Sequence, residues 1–223
     1  ANEIKKLNMD FAKTLVCDAA GFLTQLKTQA LGMPPCDTEH WLKYCREAKA
    51  AYPLYKETQY FPQQQTNMYL FGHELSLRTR KEDVIVEGSS GRSCGIIGLS
   101  YERQDGQTEI GAMGLGSMGF ALPASIGACD KRRTITLDGD GSLQHNLQEL
   151  ALIRGYGLPI KLFVLNNAGY ASIAVMQDNH FKSHYAGCNR QSGVFCCDMK
   201  KLAALYDLNY YAIHNDNEIG DVL

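Results

Sequence analysis

A chain of 223 residues, 45% of them hydrophobic and 21% charged, has the composition of a globular protein with one substantial core. Its formal net charge of −2 leaves no electrostatic footprint for nucleic acid or for an anionic membrane surface. No apolar run approaches the roughly 20 residues that span a bilayer, and the N-terminus lacks a charged-then-apolar signal pattern.

Taken in order, the chain opens without an initiating Met, and Glu3-Ile4-Lys5-Lys6-Leu7 reads as the tail of something earlier. From Asp10 the apolar positions Phe11, Leu15, Ala19, Phe22, Leu23 and Leu26 recur at helical spacing until Gly32 and Pro34-Pro35 end the helix. Asp37 or Thr38 caps a second helix whose stripe of Trp41, Leu42, Cys45 and Ala48 is expected to meet a core. Residues 58–67 are polar and aperiodic, a linker or surface loop, and a third helix follows over residues 68–79. Asp83-Val84-Ile85-Val86-Glu87 reads as the first buried strand. It ends in a small-residue loop, residues 88–92, that contains Ser89 and Ser90 and suits a ligand at a strand's carboxyl end.

Residues 114–119, Gly-Leu-Gly-Ser-Met-Gly, match the dinucleotide fingerprint G-x-G-x-x-G, and Asp138 lies at the distance of the acidic residue that such a fold wants. Two features oppose that reading. Residues 105–111 do not form a buried strand before the glycines, and Pro123 falls where an uninterrupted helix should run. A nicotinamide-binding domain is therefore kept as the alternative.

The organising stretch is Thr134 to Gly169. Ile135-Thr136-Leu137 runs into Asp138-Gly139-Asp140-Gly141-Ser142, and Leu162-Phe163-Val164-Leu165 runs into Asn166-Asn167-Ala168-Gly169. Between them, Leu143, Leu147, Leu150, Ala151 and Ile153 keep helical spacing over residues 143–156, so the unit is strand–helix–strand with parallel strands. Asp140 and Asn167 then sit on adjacent loops at one sheet edge. One carboxylate and one amide oxygen are the sparse oxygen set of a Mg²⁺ held mostly by phosphates and water. Gly139 and Gly141 let the backbone approach a ligand, and Ser142 stands where the next helix offers free N–H groups. The unit reads as a Mg²⁺–diphosphate clamp.

Beyond it, a helix begins near Tyr170 with its N-terminus toward the same clamp, Asp198 caps a further helix, and residues 209–214 read as another strand. Eight cysteines without C-x-x-C spacing, two of them adjacent, point to reduced thiols in a cytoplasm. His180, His184 and Cys188 have the spacing of metal ligands, but Gly187 and its polar neighbours favour a loop over a zinc site.

The pairing of Gly139-Asp140-Gly141-Ser142 with Asn166-Asn167 resembles the thiamine-diphosphate motif. Residues 114–124 and Asn146-Leu147-Gln148-Glu149-Leu150-Ala151 resemble the matching segments of acetolactate synthase-like enzymes, and the resemblance spans roughly residues 65–215. It implies a three-layer αβα domain with a mainly parallel sheet. Mg²⁺ would be held by Asp140, the Asn167 side chain and the Gly169 carbonyl. The diphosphate of thiamine diphosphate would be held by Gly139, Gly141, Ser142 and the amides of Tyr170, Ala171, Ser172 and Ile173. Gly116 would meet the aminopyrimidine, Met118 would be the apolar wedge under the bent cofactor, and Ser89 and Ser90 align more loosely with a cofactor-contacting loop.

The same resemblance implies decarboxylation or carboligation of a 2-oxo acid. It also implies that the activating glutamate lies outside this chain, in a separate pyrimidine-binding domain, within a homodimer or homotetramer. Residues 1–64 would be the end of a middle domain and a helical linker, and residues 65–223 the cofactor domain, truncated at its C-terminus and without turnover alone. The Met-Gln-Trp of the acetolactate synthases is replaced by Met176-Gln177-Asp178, which puts acetolactate synthesis itself in question. A non-catalytic assembly domain is the third reading.

Overall fold

Four short segments rich in β-branched and aliphatic residues pair into one all-parallel sheet in the order β2-β1-β3-β4. They are β1 (Val84–Glu87), β2 (Thr108–Gly111), β3 (Thr134–Gly139) and β4 (Ile160–Leu165). The computed structural model describes residues 6, 10–34, 36–56, 65–90, 94–112 and 114–223. Val84 lies opposite both Thr108 and Thr134, and Thr134 opposite Ile160. The two central strands are buried along their whole length, as parallel strands covered on both faces must be.

The helices in chain order are α1 (Ala19–Ala30), α2 (Glu39–Ala51), α3 (Met68–Ser76), α4 (Cys94–Ser100), α5 (Ala121–Ala128), α6 (Asp140–Leu143), α7 (Leu150–Tyr156), α8 (Ala171–Phe181), α9 (Met199–Leu205) and α10 (Ile219–Val222). The chain divides into two compact units, residues 1–52 and 53–223. In the second unit the strands alternate their side chains between two helical layers. Ile85, Ile135 and Leu137 pack with Phe71 and Leu75 of α3, Cys94 and Ile97 of α4 and Ile219 of α10, and Phe163 meets Phe71 edge-on at 5.4 Å. On the other face Val84 and Val86 pack on Ala121 of α5, while Ile160, Leu162 and Val164 pack among Leu122, Leu150 and Ile153. This is the expected three-layer αβα arrangement.

The strand order positions the site. The connection leaving β1 runs outward to β2, whereas the one leaving β3 runs the other way to β4. The loops after β1 and β3 therefore diverge, which opens a crevice at a topological switch point.

Several elements differ from the sequence-based expectation. The first helix starts at Ala19 rather than near Asp10, because the Asp18 carboxylate caps it by accepting from Gly21 N at 2.9 Å. The stripe on α2 is no core: Trp41 is 63% exposed and stacks on Tyr44, and Leu42 and Cys45 are exposed too. A helical stripe becomes interior only when another surface closes over it, and among the described residues of this unit none does. Residues 108–111 form a strand at the half-exposed edge of the sheet and, as expected, not a buried one, but Pro123 sits in the first turn of α5, where its missing N–H costs nothing. Residues 209–214 form no strand. Ile213 packs on the core while Tyr210 and Tyr211 stay exposed, a half-buried pattern with no ladder partner among the described residues. The single helix expected over residues 143–156 is three pieces: α6, a 3₁₀ segment over Gln144–Glu149, and α7.

Candidate functional site

At Gly139 the chain turns from β3 directly into α6, which carries Asp140 into the crevice as a buried side chain. Beyond the end of β4, Asn166, Asn167, Ala168 and Gly169 form the facing loop before α8. Asp140 Oδ2 accepts from Gly169 N at 3.1 Å, which ties the two loops together. One terminal atom of the Asn167 carboxamide lies 2.8 Å from the Gly169 carbonyl oxygen and 3.2 Å from Asp140 Oδ1. As the amide nitrogen it donates to both. With the amide turned over, three oxygens point at one another, a set that only a cation stabilises. The donor set therefore fits a hard divalent ion.

Around this centre the chain leaves room for an anion. The ring of Tyr170 lies over Gly141, where a Cβ would come within 2.5 Å of it. α8 begins at Ala171 with no side-chain cap, so the N–H groups of its first turn, at Ala171, Ser172 and Ile173, are open to a ligand. Ser90, half-buried in the loop after β1, rests its hydroxyl against Gly139, and Ser89 lies half-buried beside it.

The glycine-rich segment joins the site through Gly119. Gly119 N donates to Ser142 Oγ at 2.9 Å, and Asn146 Nδ2 donates to the Gly119 carbonyl at 2.6 Å. Gly119 adopts φ +78, which side chains disfavour, and a Cβ there would stand 2.7 Å from Asn146 Nδ2. At the other end of the loop, Gly116 N donates to the Ala112 carbonyl at 2.8 Å. Gly116 and Met118 thus ride on a loop tied at both ends, with Met118 45% exposed.

The electrostatics are acidic. Burial pushes the Asp138 carboxyl up to about 6, partly offset by the Ser142 side chain, the Gly139 amide and His145 nearby. Its Oδ2 has no hydrogen-bond partner among the described residues. Burial, reinforced by Glu109, raises Glu87. Burial and then the adjacent Asp140 carboxylate push the Cys196 thiol up to about 12.

Two residues emerge with contacts that no motif announced. Gln177, from the Met176-Gln177-Asp178 segment, is buried under the loop that follows α8. There its amide donates to the Ala186 carbonyl at 3.1 Å and accepts from Ala186 N at 3.1 Å and from the Cys188 thiol. That loop in turn meets the site, because Tyr170 N donates to the Cys188 carbonyl and Gly169 bridges to Asn189. Asn146 belongs to a segment noted for its likeness to a family, yet only the break in the helix reveals what its side chain does. His180, His184 and Cys188 do not converge, and no group of three or more His, Cys, Asp or Glu is placed to hold a metal among the described residues. Nor is any helix among them long and apolar enough to cross a membrane.

A parallel αβα sheet with a carboxylate, a carboxamide and a carbonyl gathered beside an open helix N-terminus at its switch point defines a cofactor-binding α/β domain. The chain belongs to the thiamine pyrophosphate enzymes: residues 90–223 match the family model described as "Thiamine pyrophosphate enzyme, C-terminal TPP binding domain". The family's cofactor is thiamine diphosphate with Mg²⁺. Among curated relatives, an acetolactate synthase large subunit of Lactococcus lactis subsp. lactis is 26% identical over 193 residues, 84% of this chain and 32% of its own length. That of Parasynechococcus marenigrum is 28% identical over 160 residues, 70% of this chain and 25% of its own. Acetolactate synthase 2, chloroplastic, of Zea mays is 44% identical over 80 residues, 34% of this chain and 12% of its own. The chain thus spans between about an eighth and a third of these relatives. The nicotinamide alternative gains no support from any of them.

Proposed function

We propose that this chain supplies the diphosphate half of a thiamine-diphosphate active site. Asp140, the Asn167 side chain and the Gly169 carbonyl hold Mg²⁺. Gly139, Gly141, Ser142 and the amides of Ala171, Ser172 and Ile173 receive the diphosphate, with Ser89 and Ser90 at its margin, whereas the Tyr170 amide, expected among them, is held by the Cys188 carbonyl. Gly116 and Met118 receive the aminopyrimidine end. The convergence of Asp140 Oδ1, the Asn167 carboxamide and the Gly169 carbonyl beside the uncapped start of α8 carries this reading. When bound, thiamine diphosphate supplies a nucleophilic thiazolium carbon and an electron sink.

The chain's own residues bind, orient and neutralise charge. The glutamate that activates the cofactor comes from a pyrimidine-binding domain outside the chain, in a homodimer or homotetramer. The substrate class is a 2-oxo acid, which is decarboxylated, ligated to a second carbonyl, or both. Residues 1–64 belong to a middle domain and linker, and residues 65–223 to the cofactor domain. Calorimetric titration of the complete polypeptide tests the site. Thiamine diphosphate should bind only with Mg²⁺ present, NADH should not bind, and Asp140→Ala should abolish the metal-dependent binding. Undiminished metal-dependent affinity in that variant would sink the assignment.

A further inference from the structure

The break at Asn146 does not follow from helix chemistry. Leu143, Leu147 and Leu150 keep the apolar spacing of one helix, yet Asn146 lies at φ −141 and ψ 36, outside helical space. What the chain gains there is one contact, the 2.6 Å hydrogen bond from Asn146 Nδ2 to the Gly119 carbonyl. Four residues earlier, Ser142 Oγ accepts from the N–H of the same glycine. Both polar groups of the Gly119 peptide unit are therefore held by side chains from the turn after β3, and Gly119 has no Cβ to obstruct them.

The two halves of this clasp differ in what else they touch. Ser142 stands in α6 next to Asp140 and Gly141, and its hydroxyl accepts from Gly119 while it also faces the Asp138 carboxylate. Asn146 lies one turn further on, and among the described residues its side chain otherwise only accepts from Gln148 Nε2 at 3.3 Å. Asn146 is thus tied to the 114–119 loop and not to the metal centre.

We infer that Asn146 is a positioning residue that fixes the loop carrying Gly116 and Met118 in register with the diphosphate clamp, and so sets affinity for the aminopyrimidine end of the cofactor. The inference rests on the thiamine-diphosphate reading. It divides the site into an anion part, held by Asp140, Ser142 and α8, and an aromatic part whose placement depends on one side-chain amide.

Two probes separate these parts: thiamine diphosphate with Mg²⁺, and inorganic pyrophosphate with Mg²⁺, which has no aminopyrimidine. Both are titrated into the complete polypeptide. Asn146→Asp keeps the shape but turns a donor into an acceptor facing the Gly119 carbonyl, and Asn146→Ala removes the donor without adding charge. Each should weaken thiamine diphosphate about tenfold or more and leave pyrophosphate unchanged, whereas Ser142→Ala should weaken both. Equal losses for both probes in the Asn146 variants, or no loss for either, would overturn the inference. A wild-type protein that binds neither probe would overturn the diphosphate reading itself, and the inference with it.

Discussion

Tyr170 and Gly141 form a close contact at the clamp that rests on the absence of a side chain. A Cβ at residue 141 would stand 2.5 and 2.6 Å from two atoms of the Tyr170 ring and 3.1 Å from the Gly169 carbonyl oxygen. Neither neighbour yields cheaply, because Tyr170 begins the approach to α8 and its N–H is bonded to the Cys188 carbonyl at 2.8 Å. Gly141→Ala should push Gly169 and the first turn of α8 away from Asp140. Metal-dependent thiamine diphosphate binding should fall about tenfold, ~1.4 kcal/mol. A double-mutant cycle with Tyr170→Ala checks the cause, since removing the ring should recover most of that loss. An undiminished penalty in the double variant would show that the ring is not the obstacle. Asp140, Gly141 and Asn167 were legible in the sequence because their chemistry is local: a carboxylate, a missing side chain and an amide at the ends of two apolar runs. Asn146 and Gln177 were not, because their partners lie 27 residues away at Gly119 and across a loop at Ala186. A long-range side-chain bond leaves no periodic trace.

Among the elements, period and caps decided what could be foreseen. Asp198 caps α9 as expected, accepting from the amides of Lys200 and Lys201. The strands β1, β3 and β4 fall on their apolar runs. The helix over residues 143–156 misled because its apolar stripe continues across the kink, and residues 209–214 misled because propensity cannot supply a neighbouring strand. The amino ends of β1 and β3 are tied by an interaction that no pattern shows. Arg133 donates through Nε to Asp83 Oδ1 at 2.9 Å and through Nη2 to Oδ2, and the Arg80 amide adds a bond to Oδ2 at 2.7 Å. Burial alone would raise the Asp83 carboxyl, but the Arg133 and Arg80 hydrogen bonds and the two positive charges outweigh it and hold the group below 3.8. A depressed folded value means stability that is present above the unfolded value and lost as pH falls through the folded one. Asp83→Asn should therefore be less stable than wild type at pH 7, with the gap closing as pH falls below 3.8. Chemical denaturation across pH reads this directly, and a gap that widens in acid would refute it. Arg133→Leu, which strands a buried carboxylate, should cost about 3 kcal/mol, the low end for a buried pair because the guanidinium is partly exposed.

For the molecule as a whole, the consequence of the β2-β1-β3-β4 order is that the binding edge and the core share the same strands. β1 and β3 carry the switch-point loops and also fill the middle of the sheet, so access to the site and integrity of the interior can be read from one set of side chains. The eight cysteines sample both. Cys17, Cys36 and Cys45 are exposed, Cys196 and Cys197 half-buried, and Cys94, Cys129 and Cys188 buried, all as free thiols. Cys94 sits beneath the loop after β1 with its thiol against the Leu137 carbonyl, and burial, reinforced by Asp138 and Glu87, pushes it up to about 12. A thiol that is both enclosed and protonated reacts only when the structure opens. In a maleimide pulse read by mass spectrometry, Cys17, Cys36 and Cys45 should label first. Cys94 and Cys129 should label only in denaturant, at the rate of global unfolding. Cys196, beside Asp140, should label at an intermediate rate that Mg²⁺ with thiamine diphosphate slows, because the ligand covers the edge on which it sits. Rapid labelling of Cys94 in the native protein would contradict the packing of α4 on β1 and β3. Cys196 labelling that ignores the cofactor would contradict the placement of the metal at Asp140.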